Sequence, residues 1–253
     1  MVNLSINTDT IENVHLIIFD KDGTLMDLYN YWSNMVGFRV ELAQKILGFD
    51  KNYNKEIMYA MGVDLENRKL RSEGPVGLKK REIVMQAMVD ALAKIGLSDT
   101  YDSCFEIFKE VDRLSMNCFP EIVKPINGVH QLIEGLYKSN CKIAIATTDK
   151  TERAKLAMDF LGLSEKIDIV VGEDMVKNCK PYPDMVNLIL KELTIKKRNA
   201  VIVGDAIADV EMGIHAGLKA SIGVCSGLTS REIILKKTNY VLEDISKILL
   251  IEN

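Results

Sequence analysis

Aromatic side chains make up only 6% of the 253 residues, with one tryptophan, and prolines number five. Sixteen glycines complete a composition too poor in proline and glycine for a fibre, while 47% hydrophobic residues are too many for a disordered chain. Long apolar runs are missing as well. Stretches such as Leu16–Phe19 and Ile248–Ile251 fall far short of the ~20 residues a membrane helix needs, so no membrane association is expected. There is no basic excess: 32 Lys and Arg against 36 Asp and Glu give a net charge of −4. A binder of phosphate backbones carries a basic face, so nucleic acid is not an expected partner. The five cysteines (Cys104, Cys118, Cys141, Cys179, Cys225) are scattered, without a CxxC pair. That argues against a disulfide framework or a thiolate metal site and favours a reducing compartment. Met1–Asn13 carries Asp9 and Glu12 and no apolar h-region, so it does not read as a signal peptide, and a cytoplasmic protein is expected.

What is present is an alternation of strands and helices. Val14–Phe19 is a continuous apolar run ending abruptly at Asp20, the pattern of a parallel strand buried on both faces. Similar runs recur at Lys142–Ala146, Ile167–Val171, Ala200–Val203 and Ser221–Val224. Between them lie helical patterns. Val129, Leu132, Ile133, Leu136 and Tyr137 fall on one helix face, and capping-box-like spacing at Asp149–Glu152 opens a helix that stops at Gly162. Further helices are expected over about 184–193, from Gly204-Asp205 to Gly217, and after Thr229-x-x-Glu232. This predicts an α/β fold with a doubly wound, mostly parallel sheet and ligands at the carboxyl ends of its strands.

The segment from about Leu28 to Met116 shows only helical periodicity, with stripes at Val84, Ala87, Met88, Ala91, Leu92, Ile95 and at Cys104, Ile107, Phe108, Val111. It reads as an all-helical insert over 29–116 between two parts of an α/β core, 1–28 and 117–253. Its position after the first strand makes it a candidate lid.

Polar stations stand at the predicted carboxyl ends of the strands: Asp20-Lys21-Asp22-Gly23-Thr24, Thr147-Thr148, Lys180-Pro181-Tyr182-Pro183 and Gly204-Asp205 through Asp209. Each has an ordinary reading, as a turn, a backbone-bonding cap, a solvated lysine or a helix cap. Their joint placement on one sheet outweighs those readings. Several carboxylates with one lysine and hydroxyls suit Mg²⁺ and a phosphoryl group, because Mg²⁺ takes oxygen ligands and shares them with substrate phosphate. A carboxylate nucleophile would divide hydrolysis into two easier steps.

The stations resemble motifs I to IV of the haloacid dehalogenase (HAD) superfamily: DxDGTLxD in LIIFDKDGTLMD (Leu16–Asp27), a strand ending in Thr, KPxP and GDxxxD. From Glu121 to Val241 the chain is similar to the phosphoglycolate-phosphatase-like branch, including Gly128-Val129 before the second motif. The resemblance implies a Rossmann-like core with a helical cap of the C1 type. It also implies Asp20 as the nucleophile that becomes aspartyl-phosphate and Asp22 as general acid and base. Mg²⁺ would be held by Asp20, the Asp22 carbonyl and Asp205, with Asp209 beside them, and the phosphoryl group by Thr147, Thr148 and Lys180. Two departures are Ala206, where Ser or Thr is common, and Thr148, where Asn is common. The implied activity is a Mg²⁺-dependent phosphatase acting on a small phosphorylated metabolite, phosphoglycolate-like or a sugar phosphate, as monomer or homodimer. A β-phosphoglucomutase-like phosphomutase is the alternative, with Thr24 leaning toward a phosphatase. A receiver-like phospho-aspartate domain is more distant, since it would be roughly half this length. Asp22 argues against a dehalogenase.

Several other residues are set aside. Cys179 has nothing nearby to activate it, His15 reads as structural, and His130 and His215 lack a ligand-spaced partner. Lys196-Lys197-Arg198 reads as a solvated loop. Arg68, Lys69, Arg71, Lys79, Lys80 and Arg81 form a basic stretch suited to a solvated face or an anionic substrate, and Trp32 suits a hinge or a substrate border.

Overall fold

The computed structural model describes residues 1–71, 73–77, 79–115 and 122–251. The chain forms two compact units, Met1–Asp27 with Pro125–Asn253, and Leu28–Lys124. The expected boundary at 116–117 and Cys118 lie outside the described residues.

The first unit opens with β1 (Val2–Ile6) and β2 (Asp9–Val14), followed by β3 (Leu16–Phe19). After residue 125 come α5 (Val129–Lys138), β6 (Lys142–Ala146), α6 (Thr151–Phe160), β7 (Ile169–Val171), α7 (Asp184–Glu192) and β8 (Ala200–Gly204). The unit ends with α8 (Ile207–Ala216), β9 (Ala220–Val224), α9 (Arg231–Ile234), β10 (Val241–Leu242) and β11 (Leu249–Ile251). Six strands form one sheet in the order β10-β9-β8-β3-β6-β7, every pair parallel. β3 is central because all four of its residues are apolar and buried, which requires covering elements on both faces. Its Phe19 is in register with Ile145 of β6 and Val203 of β8. The chain winds from β3 to β6 and β7 on one side, then crosses to β8, β9 and β10 on the other. The carboxyl end of β3 is therefore the switch point where the following loops diverge, the place where doubly wound sheets bind ligands. Met185, Val186 and Ile189 of α7 and Met212 and Ala216 of α8 pack with Ile18, Ala144 and Ile202 of the sheet.

The structure adds what the sequence pattern did not reveal. β1, β2 and β11 form an antiparallel sheet in the order β11-β1-β2. The run expected over Val14–Phe19 is divided between β2 and β3, with Asn13 in the left-handed region at φ 57 just before the break. Tyr137 is exposed although the other members of its predicted stripe are buried. The N-terminus of α6 is not a capping box: Thr151 N donates 2.8 Å to Asp174 Oδ1, an acceptor from the loop after β7. Nor does Thr229 cap α9, whose N-cap is Ser230.

The second unit contains α1 (Leu28–Leu47), α2 (Asn54–Ala60), α3 (Arg81–Lys94) and α4 (Tyr101–Ser115). Val84, Met88, Ala91 and Leu92 of α3 and Cys104, Ile107, Phe108 and Val111 of α4 are buried. It is not all-helical, because β4 (Val63–Asp64) and β5 (Lys69–Leu70) form an antiparallel ladder. Its turn is built locally: the Asp64 carboxylate accepts from Asn67 N at 3.0 Å and from Asn67 Nδ2 at 2.8 Å. Arg71 and Arg81 of the basic stretch serve the unit's own packing. Arg71 lies over the Tyr59 ring and donates to Tyr59 O, while Arg81 and the buried Arg39 share Asp112 and the Phe108 ring.

Candidate active site

β3 delivers Asp20 at the switch point, its N–H donating 2.9 Å to Val203 O of β8. The chain then turns tightly: Leu25 N and Met26 N both donate to Lys21 O at 3.0 Å, and Gly23 N donates to Met26 O at 2.9 Å. Gly23 adopts φ +88, and a Cβ there would lie 2.7 Å from Asp205 Cγ. This position accordingly demands glycine twice over, for its backbone angle and for room. β8 delivers Asp205, and the first turn of α8 delivers Asp209, whose Oδ2 accepts from Ala206 N at 3.0 Å. Lys180 comes from the loop preceding α7, which is held against α8 by the 2.9 Å contact between His215 Nδ1 and Pro181 O.

These side chains meet. Lys180 Nζ lies 2.5 Å from Asp20 Oδ1 and 2.6 Å from Asp209 Oδ1. Asp20, Asp205 and Asp209 are all buried and offer carboxylate oxygens within 4.8 Å of one another. Thr24 Oγ1 donates to Asp205 Oδ1 at 3.4 Å. Burial pushes the Asp20 carboxyl up to about 7, with Lys180 opposing and Asp209 and Asp22 adding to the rise. Burial also lifts Asp205 well above the carboxylate range, reinforced by Asp20 and Asp209. Burial disfavours the Lys180 ammonium, yet the Asp20 and Asp209 carboxylates outweigh it and its pKa is raised.

Three buried carboxyl groups share one ammonium, and the burial and mutual repulsion that raise Asp20 and Asp205 are what a bound cation would offset. Asp209 Oδ1 is fully buried and faces only the Lys180 ammonium, at 2.6 Å, among the contacts of the described residues. An oxygen-only donor set with an under-satisfied oxygen fits a hard divalent cation such as Mg²⁺.

The other expected residues are placed differently. Asp22 is outside the carboxylate cluster, and its Oδ1 lies 2.7 Å from Lys21 Nζ. Thr147, at the end of β6, is fully buried, donates its N–H to Val171 O at 3.0 Å and accepts from Asp149 N at Oγ1, 3.1 Å away. Thr148 is exposed. Of the residues set aside, His15 contacts Asn13 Oδ1 at 2.8 Å, and burial raises the Cys179 pKa, so it is no activated thiolate.

Lys21, Asp149, Ser226 and Gly227 were not picked out from the sequence. Ser226 Oγ donates 2.6 Å to Gly23 O, and a Cβ on Gly227 would overlap the Asp205 carboxylate. Only Lys21 carried a readable signal, a lysine between two aspartates at the end of a buried strand.

The chain is similar to known proteins in sequence and in fold. The family model described as haloacid dehalogenase-like hydrolase matches residues 17–224. The Phosphorylated carbohydrates phosphatase of Thermotoga maritima is 26% identical over 223 residues, covering 87% of this chain and 89% of that protein. The Phosphoglycolate phosphatase of Aquifex aeolicus is 27% identical over 212 residues, covering 83% and 85%. Pyrophosphatase PpaX of Halalkalibacterium halodurans is 33% identical over 102 residues, but that match takes in 40% of this chain and spans 47% of the relative's length. In fold, the crystal structure of a HAD-superfamily hydrolase, subfamily IA, from Geobacter sulfurreducens superposes with TM-score 0.67 at 16% identity, covering 93% of this chain and 94% of that one. The parallel sheet, the motif residues at its carboxyl edge and the family match over residues 17–224 lead to one assignment: the chain belongs to the haloacid dehalogenase-like hydrolases.

Proposed function

We propose that this protein is a Mg²⁺-dependent phosphatase that hydrolyses a small phosphorylated metabolite, phosphoglycolate-like or a sugar phosphate, through an aspartyl-phosphate on Asp20. The observation that carries the reading is the buried set of Asp20, Asp205, Asp209 and Lys180 at the switch point of the sheet. The family membership and relatives named as phosphatases of phosphorylated carbohydrates and phosphoglycolate support it.

Asp20, Asp205, Asp209 and the Asp22 carbonyl would hold Mg²⁺. When bound, the ion would offset the repulsion between the Asp20 carboxylate and an anionic phosphate. Asp20 attacks phosphorus, and the bond to the ester oxygen breaks with its electron pair leaving on that oxygen, which takes a proton from Asp22. A water oxygen then attacks phosphorus, gives its proton to Asp22, and the bond to Asp20 breaks. The sum is ester plus water giving alcohol plus phosphate. Lys180 places its ammonium beside the attacking carboxylate, where charge accumulates on the phosphoryl oxygens. Thr147 Oγ1 accepts from Asp149 N, which leaves its own proton for the phosphoryl group. The second unit, Leu28–Lys124, would act as the cap, the whole as a cytoplasmic enzyme.

The test is turnover of a panel of phosphorylated metabolites and p-nitrophenyl phosphate with Mg²⁺. Phosphate release that disappears on chelation is expected; an inactive protein, or a chelator-resistant rate, contradicts the reading.

A further inference from the structure

We propose that Lys21 is the positioning residue of Asp22, fixing the carboxyl group that protonates the leaving oxygen; this rests on the phosphatase reading above. Lys21 is buried, with a side chain only 4% exposed. A buried ammonium is costly unless paired and hydrogen-bonded, and Lys21 has two anionic partners: Asp22 Oδ1 at 2.7 Å and Asp149 Oδ2 at 3.3 Å. The main chain of Lys21 is held in the turn after β3, where its carbonyl accepts from both Leu25 N and Met26 N, and the two ion pairs locate its ammonium.

Asp149 is fixed as well. Its N–H donates to Thr147 Oγ1, its carbonyl accepts from Glu173 N at 3.1 Å, and Arg153 Nε lies 3.6 Å from Oδ2. Lys21 is thus a bridge between the loop after β3, which carries Asp20 and Asp22, and the loop after β6, which carries Thr147.

Asp22 needs such a bridge more than its neighbours do. Its side chain is 29% exposed, and its recorded hydrogen bond among the described residues is the one from Lys21. The lysine engages Oδ1 and leaves Oδ2 to carry the proton. With two carboxylates already on the ammonium, Lys21 is not a phosphate ligand in this arrangement. Losing the bridge lets Asp22 rotate in solvent, and small displacements of a proton donor cost large factors in rate.

A role through Asp22 differs from a purely structural one in how the rate depends on the leaving group. p-Nitrophenolate is a weak base and leaves without a proton, whereas phenolate needs one. The two esters are otherwise similar in shape, and kcat/KM reports the step in which the ester bond breaks. For Lys21→Met, kcat/KM for phenyl phosphate is expected to fall ~10²-fold and for p-nitrophenyl phosphate less than ~5-fold, with KM little changed. Asp149→Asn, which removes the outer anchor, is expected to steepen the leaving-group dependence in the same direction, and it carries the test if Lys21→Met does not fold. Equal losses on both esters, or no loss on either, overturn the role of Lys21. A wild-type protein inactive on both esters with Mg²⁺, or an Asp20→Asn variant as active as wild type, instead overturns the phosphatase reading, and this proposal with it.

Discussion

Gly227 lies so close to Asp205 that a Cβ at position 227 would overlap the Asp205 carboxylate. The loop after β9 therefore forms a wall against Asp205, and a methyl group there must displace the Asp205 carboxylate or the loop from its present position. Gly227→Ala is expected to weaken Mg²⁺ activation by ~10- to 100-fold, the range for groups that orient metal ligands. A Mg²⁺ titration of activity checks this. Apparent affinity unchanged from wild type would mean that Asp205 does not hold the ion.

Lys180 is the sole cation within 2.6 Å of the buried Asp20 and Asp209 oxygens among the recorded ion pairs. Removing one partner of a buried pair leaves uncompensated charge and costs about 3–5 kcal/mol. Lys180→Met is expected to lose stability on that order in chelator, as measured by urea unfolding. Added Mg²⁺ is expected to recover part of the loss, because a ligand of the native state stabilises it. A variant as stable as wild type in chelator would show that the carboxylates carry protons rather than charges there.

Burial pushes the Cys141 thiol up to about 12 from an ordinary 9.0. Since the thiolate is the reactive form, Cys141 is expected to resist alkylation at pH 8 in the folded protein and to react in urea. The unfolded chain releases this proton first, so the contribution of Cys141 to stability is intact below about 9 and is lost as pH rises toward about 12. Peptide mapping after iodoacetamide treatment, with and without urea, measures the protection. Rapid labelling under native conditions would contradict it.

The parallel sheet was legible because its strands are short apolar runs ending at polar residues, and burial on both faces leaves no other pattern. The same ends disclosed Asp20 and Asp205, whereas Lys180, in the loop preceding α7, was marked by the Lys180-Pro181-Tyr182-Pro183 motif. The antiparallel sheet was not legible. In β2, buried residues appear at every third position (Ile11 and Val14) rather than alternating, and β1 pairs with β11 across almost the whole chain, Asn3 opposite Ile251. The β4–β5 ladder is two residues long on each side, below any periodicity. The bridge made by Lys21 was not legible, because it depends on the tight turn at Leu25 and Met26 and on a second partner, Asp149, remote in sequence. The N-terminus of α6 was misread for a similar reason: its acceptor, Asp174, belongs to another strand's loop.

The most direct test of the nucleophile is to quench the working enzyme in acid and locate phosphate on its peptides. With Mg²⁺ and substrate, the peptide containing Asp20 is expected to carry a phosphoryl group that hydroxylamine removes and that is absent from Asp20→Asn. Rapid phosphate release without any label on Asp20, retained in Asp20→Asn, would contradict the mechanism.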